Sequence, residues 1–308
     1  MIKFIFSAIM IFIVGLIAGG IYFYNYSILR KDKDILKDNP DLDNPSGKDL
    51  NDKISWLQYQ NVEKLKITSK DGLILLGQYI SAKNPTKKTA ILVHGYNGRG
   101  SDMAHFAEYY SEELGFNVFM PDCRGHGESG GKYIGFGWHD RKDILDWIAI
   151  IIKRLGKDSE ILLHGISMGG ATVLMASGEN LPDNVKCIIS DCAYSSIKGI
   201  LTYQMKKMFK LPQFPLIHVT SLICKLRAGY LFREGSSIEQ VRKTKKPILF
   251  IHGSEDKFVP TDMVNHIYEV CKAEKELLII EGAIHGNAYW VDMKSYKRKV
   301  ETFINKYI

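Results

Sequence analysis

Ser167 stands in the run Gly165-Ile166-Ser167-Met168-Gly169, after a short apolar stretch and before Gly170-Ala171-Thr172-Val173-Leu174-Met175, a good helix start. A serine at a sharp strand-to-helix turn is held in a strained backbone conformation that projects its hydroxyl from the sheet edge. Glycine is needed two residues away on either side, because a side chain there would strike the neighbouring elements. A serine hydroxyl is a poor nucleophile at neutral pH unless a base takes its proton and a carboxylate orients that base. Downstream, Ile248–Ile251 runs into His252-Gly253-Ser254-Glu255-Asp256, and Glu281-Gly282-Ala283-Ile284-His285-Gly286 follows the next apolar run. Asp256 and His285 thus each fall just past a predicted strand, where open α/β sheets meet their ligands. The chain order Ser, Asp, His is the order this strand–turn–helix setting carries. Together the three residues could run nucleophilic acyl transfer through a covalent serine ester.

Such chemistry also needs donors for the oxyanion of the tetrahedral intermediate. The backbone N–H of Met168 supplies one, aided by the positive end of the helix that begins there. The second is expected from the loop His94-Gly95-Tyr96-Asn97-Gly98, at the N–H of Tyr96, with Gly95 letting the backbone approach closely. Asp191, at the end of the Cys187–Ile189 run, is the rival acid, one strand earlier than Asp256. His94, His164 and His252 stand at strand ends before glycine and read as structural hydrogen-bonding residues. His126 precedes the serine, against the expected order. Gly125-His126-Gly127-Glu128-Ser129-Gly130 also satisfies the spacing of a dinucleotide fingerprint, but the residues after it open no helix, and no acidic residue closes a second strand at the required distance. No HExxH or P-loop occurs, and the triad requires neither metal nor cofactor.

The elements that must position these residues alternate strand and helix. Val62–Ile67 alternates apolar with polar, and Leu73–Ile80 follows the turn signal Asp71-Gly72. The runs Ala90–Val93, Val118–Met120, Ile161–Leu163, Cys187–Ile189, Ile248–Ile251 and Leu277–Ile280 are continuously apolar, as strands covered on both faces of a parallel sheet are. Helical spacing links Met103, Phe106, Tyr110 and Leu114; Ile144, Trp147, Ile148, Ile151 and Leu155; and Tyr296, Val300, Phe303, Ile304 and Tyr307. A doubly wound α/β sheet is the expected architecture. Between Ala193 and Lys245 the rhythm breaks. Leu201, Met205, Met208, Phe209, Leu216, Ile217, Ile223 and Tyr230 make that interval too apolar for a loop, so a helical cap inserted at about 194–245 is expected over the sheet's C-terminal edge; a crossover of two ordinary helices is the alternative.

The segments "ILVHGYNGRG", "MPDCRGHGESGG", "LLHGISMGG", "FIHGSEDKFVP" and "GAIHG" together resemble the ordered signature of the α/β-hydrolase superfamily. Within it they are most similar to bacterial membrane-anchored esterase-like members classed with the serine aminopeptidase group. The resemblance covers residues 61–308. It implies the triad and oxyanion donors reached above, and a structural role beside the site for Asp122, Arg124, His126 and Ser129. The oxyanion loop departs from the His-Gly-Gly-Gly pattern of one lipase and esterase branch, so that branch's bulky-alcohol substrates are not implied. A hydrophobic carboxylic ester is the expected substrate. An aminopeptidase would need a carboxylate to hold the substrate's free amine, for which the cap region offers Glu234 and Glu239. A tethered binding module without catalysis is the third reading.

The rest of the chain bounds these readings. Of 308 residues 45% are hydrophobic, enough for a sizeable core, and the net charge of +7 is spread out, not gathered into a nucleic-acid-binding stripe. The five cysteines form no CxxC and suggest no metal ribbon or redox pair. Phe4 to Tyr24 carries no charge and is long enough to cross a bilayer, with Tyr22, Tyr24 and Tyr26 placed for an interfacial belt. A transmembrane anchor over 1–26 is expected; a cleaved signal peptide would need a small-residue site, for which Ala18-Gly19-Gly20 is the one weak candidate. Residues 27–60, rich in Asp, Lys and Asn with Pro40 and Pro45, read as a solvated linker to the domain at 61–308. Arg30, Lys31, Lys33 and Lys37 outnumber Lys3 and argue for a cytoplasmic domain, whereas the short basic N-terminus argues for an exported one; the two cues oppose each other.

Overall fold

The computed structural model describes residues 1–30, 39, 41–42 and 56–308. Its described strands are β1 (Val62–Thr68), β2 (Ile74–Ile80), β3 (Lys88–Val93), β4 (Asn117–Pro121), β5 (Glu160–Ile166), β6 (Val185–Asp191), β7 (Ile248–Gly253) and β8 (Lys275–Ile280). They form one sheet in the order β1-β2-β4-β3-β5-β6-β7-β8. β2 lies antiparallel to β1 and β4, and every pairing from β4 through β8 is parallel.

The unbroken apolar runs are explained by two cores, one on each face. In β3, Ile91 and Val93 enter one core while Ala90 and Leu92 enter the other; Ile248 and Phe250 alternate with Leu249 and Ile251 in the same way. Helix α1 (Ile2–Ser27) precedes the sheet. One layer of the domain is formed by α2 (Ala104–Glu108), continued by a π-helical turn at Tyr109–Glu113, and by the C-terminal α10 (Met293–Ile304), reached through the short α9 (Ala288–Val291). The opposite layer holds α3 (Asp140–Leu155), α4 (Met168–Ser177) and α8 (Asp262–Val270). Between β6 and β7 the chain makes α5 (Ile197–Phe209), α6 (Leu216–Ala228) and the one-turn α7 (Ser237–Val241), which packs on α4. The helix starts obey ordinary capping chemistry. The Ser196 hydroxyl accepts from Gly199 N–H at 3.0 Å, and the Asp292 carboxylate accepts from Ser295 N–H at 3.0 Å.

Two features depart from the sequence reading. Tyr24 and Tyr26 do not face outward: Tyr24 is buried against the domain, and Tyr26 stacks edge-on against Phe209 at 5.2 Å. The start of the expected linker is packed as well. Ile28 is fully buried, its carbonyl accepts from Ile134 N–H at 2.7 Å, and Arg30 N–H donates to the Lys132 carbonyl at 3.0 Å. Most of the remaining linker, including Lys31, Lys33, Lys37, Pro40 and Pro45, lies outside the described residues.

Candidate active site

Ser167 caps β5 and opens α4 with φ 54° and ψ −114°, a left-handed backbone that an L-residue adopts only under constraint. The constraint comes from its neighbours. A Cβ on Gly165 would lie 2.1 Å from the Gly169 carbonyl oxygen, and one on Gly169 would lie 1.9 Å from that of Val93. Both glycines are therefore required by space, as the motif implies. Ser167 N–H donates to the Asp191 carbonyl at 2.8 Å, fixing the turn to β6.

The hydroxyl of Ser167 stands 2.8 Å from His285 Nε2, and His285 Nδ1 stands 2.7 Å from Asp256 Oδ2. The Nδ1–H then donates to the carboxylate and leaves Nε2 as the acceptor for the serine proton. Asp256 is fastened independently: its Oδ1 accepts from Phe258 N–H at 2.9 Å and Val259 N–H at 2.7 Å. Burial opposes its ionisation, but the electrostatic pull of His285 and hydrogen bonds from His252 and His285 outweigh it and hold the carboxyl well below the usual carboxylate range. The His285 ring is thus backed by a carboxylate that stays charged.

The loop after β3 crosses beside the serine. A Cβ on Gly95 would meet Ser167 Cβ at 3.5 Å, which is ordinary contact, so glycine is not demanded there by space. Tyr96 and Met168 both line a cavity of about 90 Å³ against Ser167, together with Phe136, Tyr194, Ile200, Leu201, Phe258 and Val259. The lining is overwhelmingly apolar. Glu234 and Glu239 take no part in it: Glu234 pairs with Lys225 at 3.4 Å, and Glu239 with Arg242 at 3.7 Å.

Residues 89–214 match the family model of the alpha/beta hydrolase fold. The strand order, with its antiparallel β2 and the strained serine between β5 and α4, agrees with that match. The chain has the α/β-hydrolase fold. It is 29% identical to protein YqkD of Bacillus subtilis (strain 168), over 98% of this chain and 97% of that one. With YfhR of Escherichia coli (strain K12) it shares 28% identity, over 77% of this chain and 78% of the other. Among solved structures, an esterase of Pyrococcus furiosus superposes with a TM-score of 0.66 at 24% identity, covering 91% of this chain and 97% of its own. The acylaminoacyl peptidase of Pyrococcus horikoshii does so with a TM-score of 0.58 at 20% identity, over 82% of this chain and 42% of its own. At these identities the structural likeness shows the fold.

The rival acid, Asp191, is engaged elsewhere. Asp191 Oδ2 accepts from the Tyr296 hydroxyl at 2.9 Å, and burial pushes its carboxyl up to about 6. The same Tyr296 hydroxyl lies 3.2 Å from His164 Nε2, whose Nδ1 meets Tyr110 at 3.0 Å; burial pushes His164 down to about 3, leaving it neutral. His94 is likewise structural: its Nε2 accepts from Cys123 N–H at 3.0 Å, so Nδ1 donates to the Gly95 carbonyl at 2.7 Å. His126 lies 3.0 Å from the Arg124 carbonyl. The glycine-rich run that holds His126 folds as a loop around Asp122, whose carboxylate accepts from Gly100 and Glu128 N–H, each at 2.7 Å. Arg124 is buried in a fork, 2.7 Å from both oxygens of Asp143 and 2.8 Å from Asp71.

The sequence reading under-described two participants. His252 Nε2 lies 2.8 Å from the Val259 carbonyl, as a structural histidine would, yet also 3.1 Å from Asp256 Oδ2. The signal was its four-residue spacing from Asp256 at the end of β7. Tyr26 and Ser27, at the end of α1, line the cavity beside Ser167, and the Tyr96 hydroxyl donates to the Ser27 carbonyl at 2.7 Å. The Gly19-Gly20 pair carried that signal: a Cβ on Gly20 would stand 2.7 Å from Ile223 Cδ1 and 2.8 Å from Val219 Cγ1, so these glycines admit α6 to close contact.

Proposed function

We propose that this α/β hydrolase is a membrane-tethered serine esterase, cleaving a hydrophobic carboxylic ester through an acyl-enzyme. The observation that carries the reading is the unbroken hydrogen-bonded line Ser167–His285–Asp256 at the edge of an apolar cavity. In the first half-reaction Ser167 Oγ attacks the ester carbonyl carbon as its proton passes to His285 Nε2. The oxyanion rests on the N–H groups of Met168 and Tyr96, and collapse expels the alcohol, which takes the proton from His285. Water, deprotonated by the same imidazole, then attacks the acyl-serine and releases the carboxylic acid. Asp256 holds the imidazole in its working tautomer throughout and never needs to accept a proton.

The helices between β6 and β7 serve in this account as the cap: Ile200, Leu201 and Gln204 of α5 form one wall of the cavity. Helix α1 serves as the membrane anchor. It is 26 residues long and apolar enough to cross a bilayer, and Met1–Ala18 stands clear of the domain. The peptidase reading is disfavoured because no Asp or Glu lines the cavity among the described residues. A panel of p-nitrophenyl acyl esters and aminoacyl anilides decides between the two. Turnover of the esters is expected, and turnover of the anilides alone would reject the esterase.

A further inference from the structure

We propose that α1 is part of the substrate site as well as a tether, and that the cavity it walls takes the acyl chain of an ester amphiphile drawn from the bilayer along the helix. This rests on the serine-esterase reading and adds to it the substrate class and its route.

Four observations converge. The end of α1 is fastened to the loops around Ser167, through Tyr96 to the Ser27 carbonyl at 2.7 Å and through the strand-like pairing of Ile28 and Arg30 with residues 132–134. A second cavity of about 50 Å³, lined by Phe23, Met205, Phe209 and Ile217, adjoins the first, and the two share Tyr26, Ser27, Leu201, Gln204 and Met208. The two apolar cavities thus meet between α1 and α5, the first against Ser167 and the second against Phe23, about one helical turn nearer the start of α1. The free length of α1, Ile2–Ala18, measures about 25 Å at 1.5 Å per residue, close to the ~30 Å of a hydrocarbon core. The first packed residues, Gly19 and Gly20, thus lie near the membrane surface, and Ser27 stands only about 12 Å above them.

The fourth observation is the tip of the cap. Leu216, at the start of α6, is the residue that a Cβ on Gly19 would meet, at 3.0 Å. The loop just before it exposes Leu211 and, at 71% of its surface, Phe214, flanked by the exposed Lys206 and Lys210. Large apolar side chains with a basic rim, level with the emergence of a spanning helix, fit the interface of a bilayer with anionic headgroups. A lipid-like ester entering there needs to rise only the height of the packed part of α1 to bring its carbonyl to Ser167.

The test uses the full chain reconstituted in phosphatidylcholine vesicles, with 4-methylumbelliferyl oleate in the bilayer and 4-methylumbelliferyl acetate in the water. Gly20→Leu wedges α1 away from α6 without touching the triad. It is expected to lower kcat/KM for the oleate by tenfold or more, roughly the loss of two methylene contacts, and to leave acetate hydrolysis within about twofold. Equal rates on both esters, or equal losses on both, in a variant that still melts cooperatively would overturn the proposal. Should Gly20→Leu not fold, Phe214→Asp decides. Its oleate rate should fall in vesicles and recover when the oleate is presented in detergent micelles; an unchanged vesicle rate, or an equal loss in micelles, contradicts the route. A wild-type chain that hydrolyses neither ester and takes no fluorophosphonate at Ser167 would instead remove the serine-esterase reading beneath it.

Discussion

The hydroxyl of Ser167 reaches His285 because the backbone beneath it is forced to a positive φ, and two glycines make room for that turn. With a Cβ only 1.9 Å from the Val93 carbonyl oxygen, Gly169→Ala is expected to give no soluble, cooperatively melting protein, whereas Ser167→Ala should melt within about 1 °C of wild type and lose ester turnover by ~10⁴-fold or more. These residues were legible because their types and their places after strands are dictated by geometry. The acid was less so: Asp191 and Asp256 both follow strands, and what separates them is the Tyr296 hydroxyl that engages Asp191, a contact across 105 residues that no local pattern announces. His252 is a further case. Its ring touches the Asp256 carboxylate at 3.1 Å, so His252→Ala should lower kcat by ~10- to 100-fold with little change in KM, the cost of one hydrogen bond to a charged group. His252→Asn, which keeps a donor, should recover part of that loss; a fall in KM-dependent terms alone would mean that His252 only packs.

Among the elements, continuous apolar runs exposed the central strands because each must fill two cores, and the alternation of β1 marked an edge. The excess of apolar residues after Ala193 was equally plain, but not that α6 would pack along α1. The Arg124 loop ties elements together that the sequence left unconnected: its guanidinium joins Asp71, in the β1–β2 turn, to Asp143 on α3. Arg124→Ala strands a buried Asp143 carboxylate and should cost about 3–5 kcal/mol in a urea melt. Burial opposes ionisation of Asp71, yet hydrogen bonds from Arg124 and Ser69 hold it at about 2, below its ordinary 3.8. An acid depressed by folding contributes stability that is complete above its unfolded pKa and lost as pH falls through the folded one. Wild-type stability should therefore drop between pH 3.8 and about 2, and Asp71→Asn should flatten that part of the profile. An identical profile in the variant would remove the pair from the account.

At the scale of the whole molecule, the boundary that the sequence suggested between anchor and linker is a joint. Residues that read as interface and stalk, Tyr26, Ser27, Ile28 and Arg30, are built into the domain beside the cavity. Hydropathy reports that a helix can cross a membrane but not what its last turn packs against, and only the Gly19-Gly20 pair hinted at close packing. An uncleaved anchor predicts that the cell-purified protein still carries the segment Phe4–Ala18 and stays with membranes through alkaline carbonate; a new N-terminus near Gly20 would contradict it. The account depends most on Ser167 being a nucleophile primed by His285. The direct measurement is treatment of the folded full chain with a fluorophosphonate probe, followed by peptide mass spectrometry. The account predicts one phosphonate adduct, on the peptide carrying Ser167, abolished by Ser167→Ala and strongly slowed by His285→Ala. A folded protein that takes no label under conditions where a known serine hydrolase labels fully, or that is modified at another residue, would contradict it.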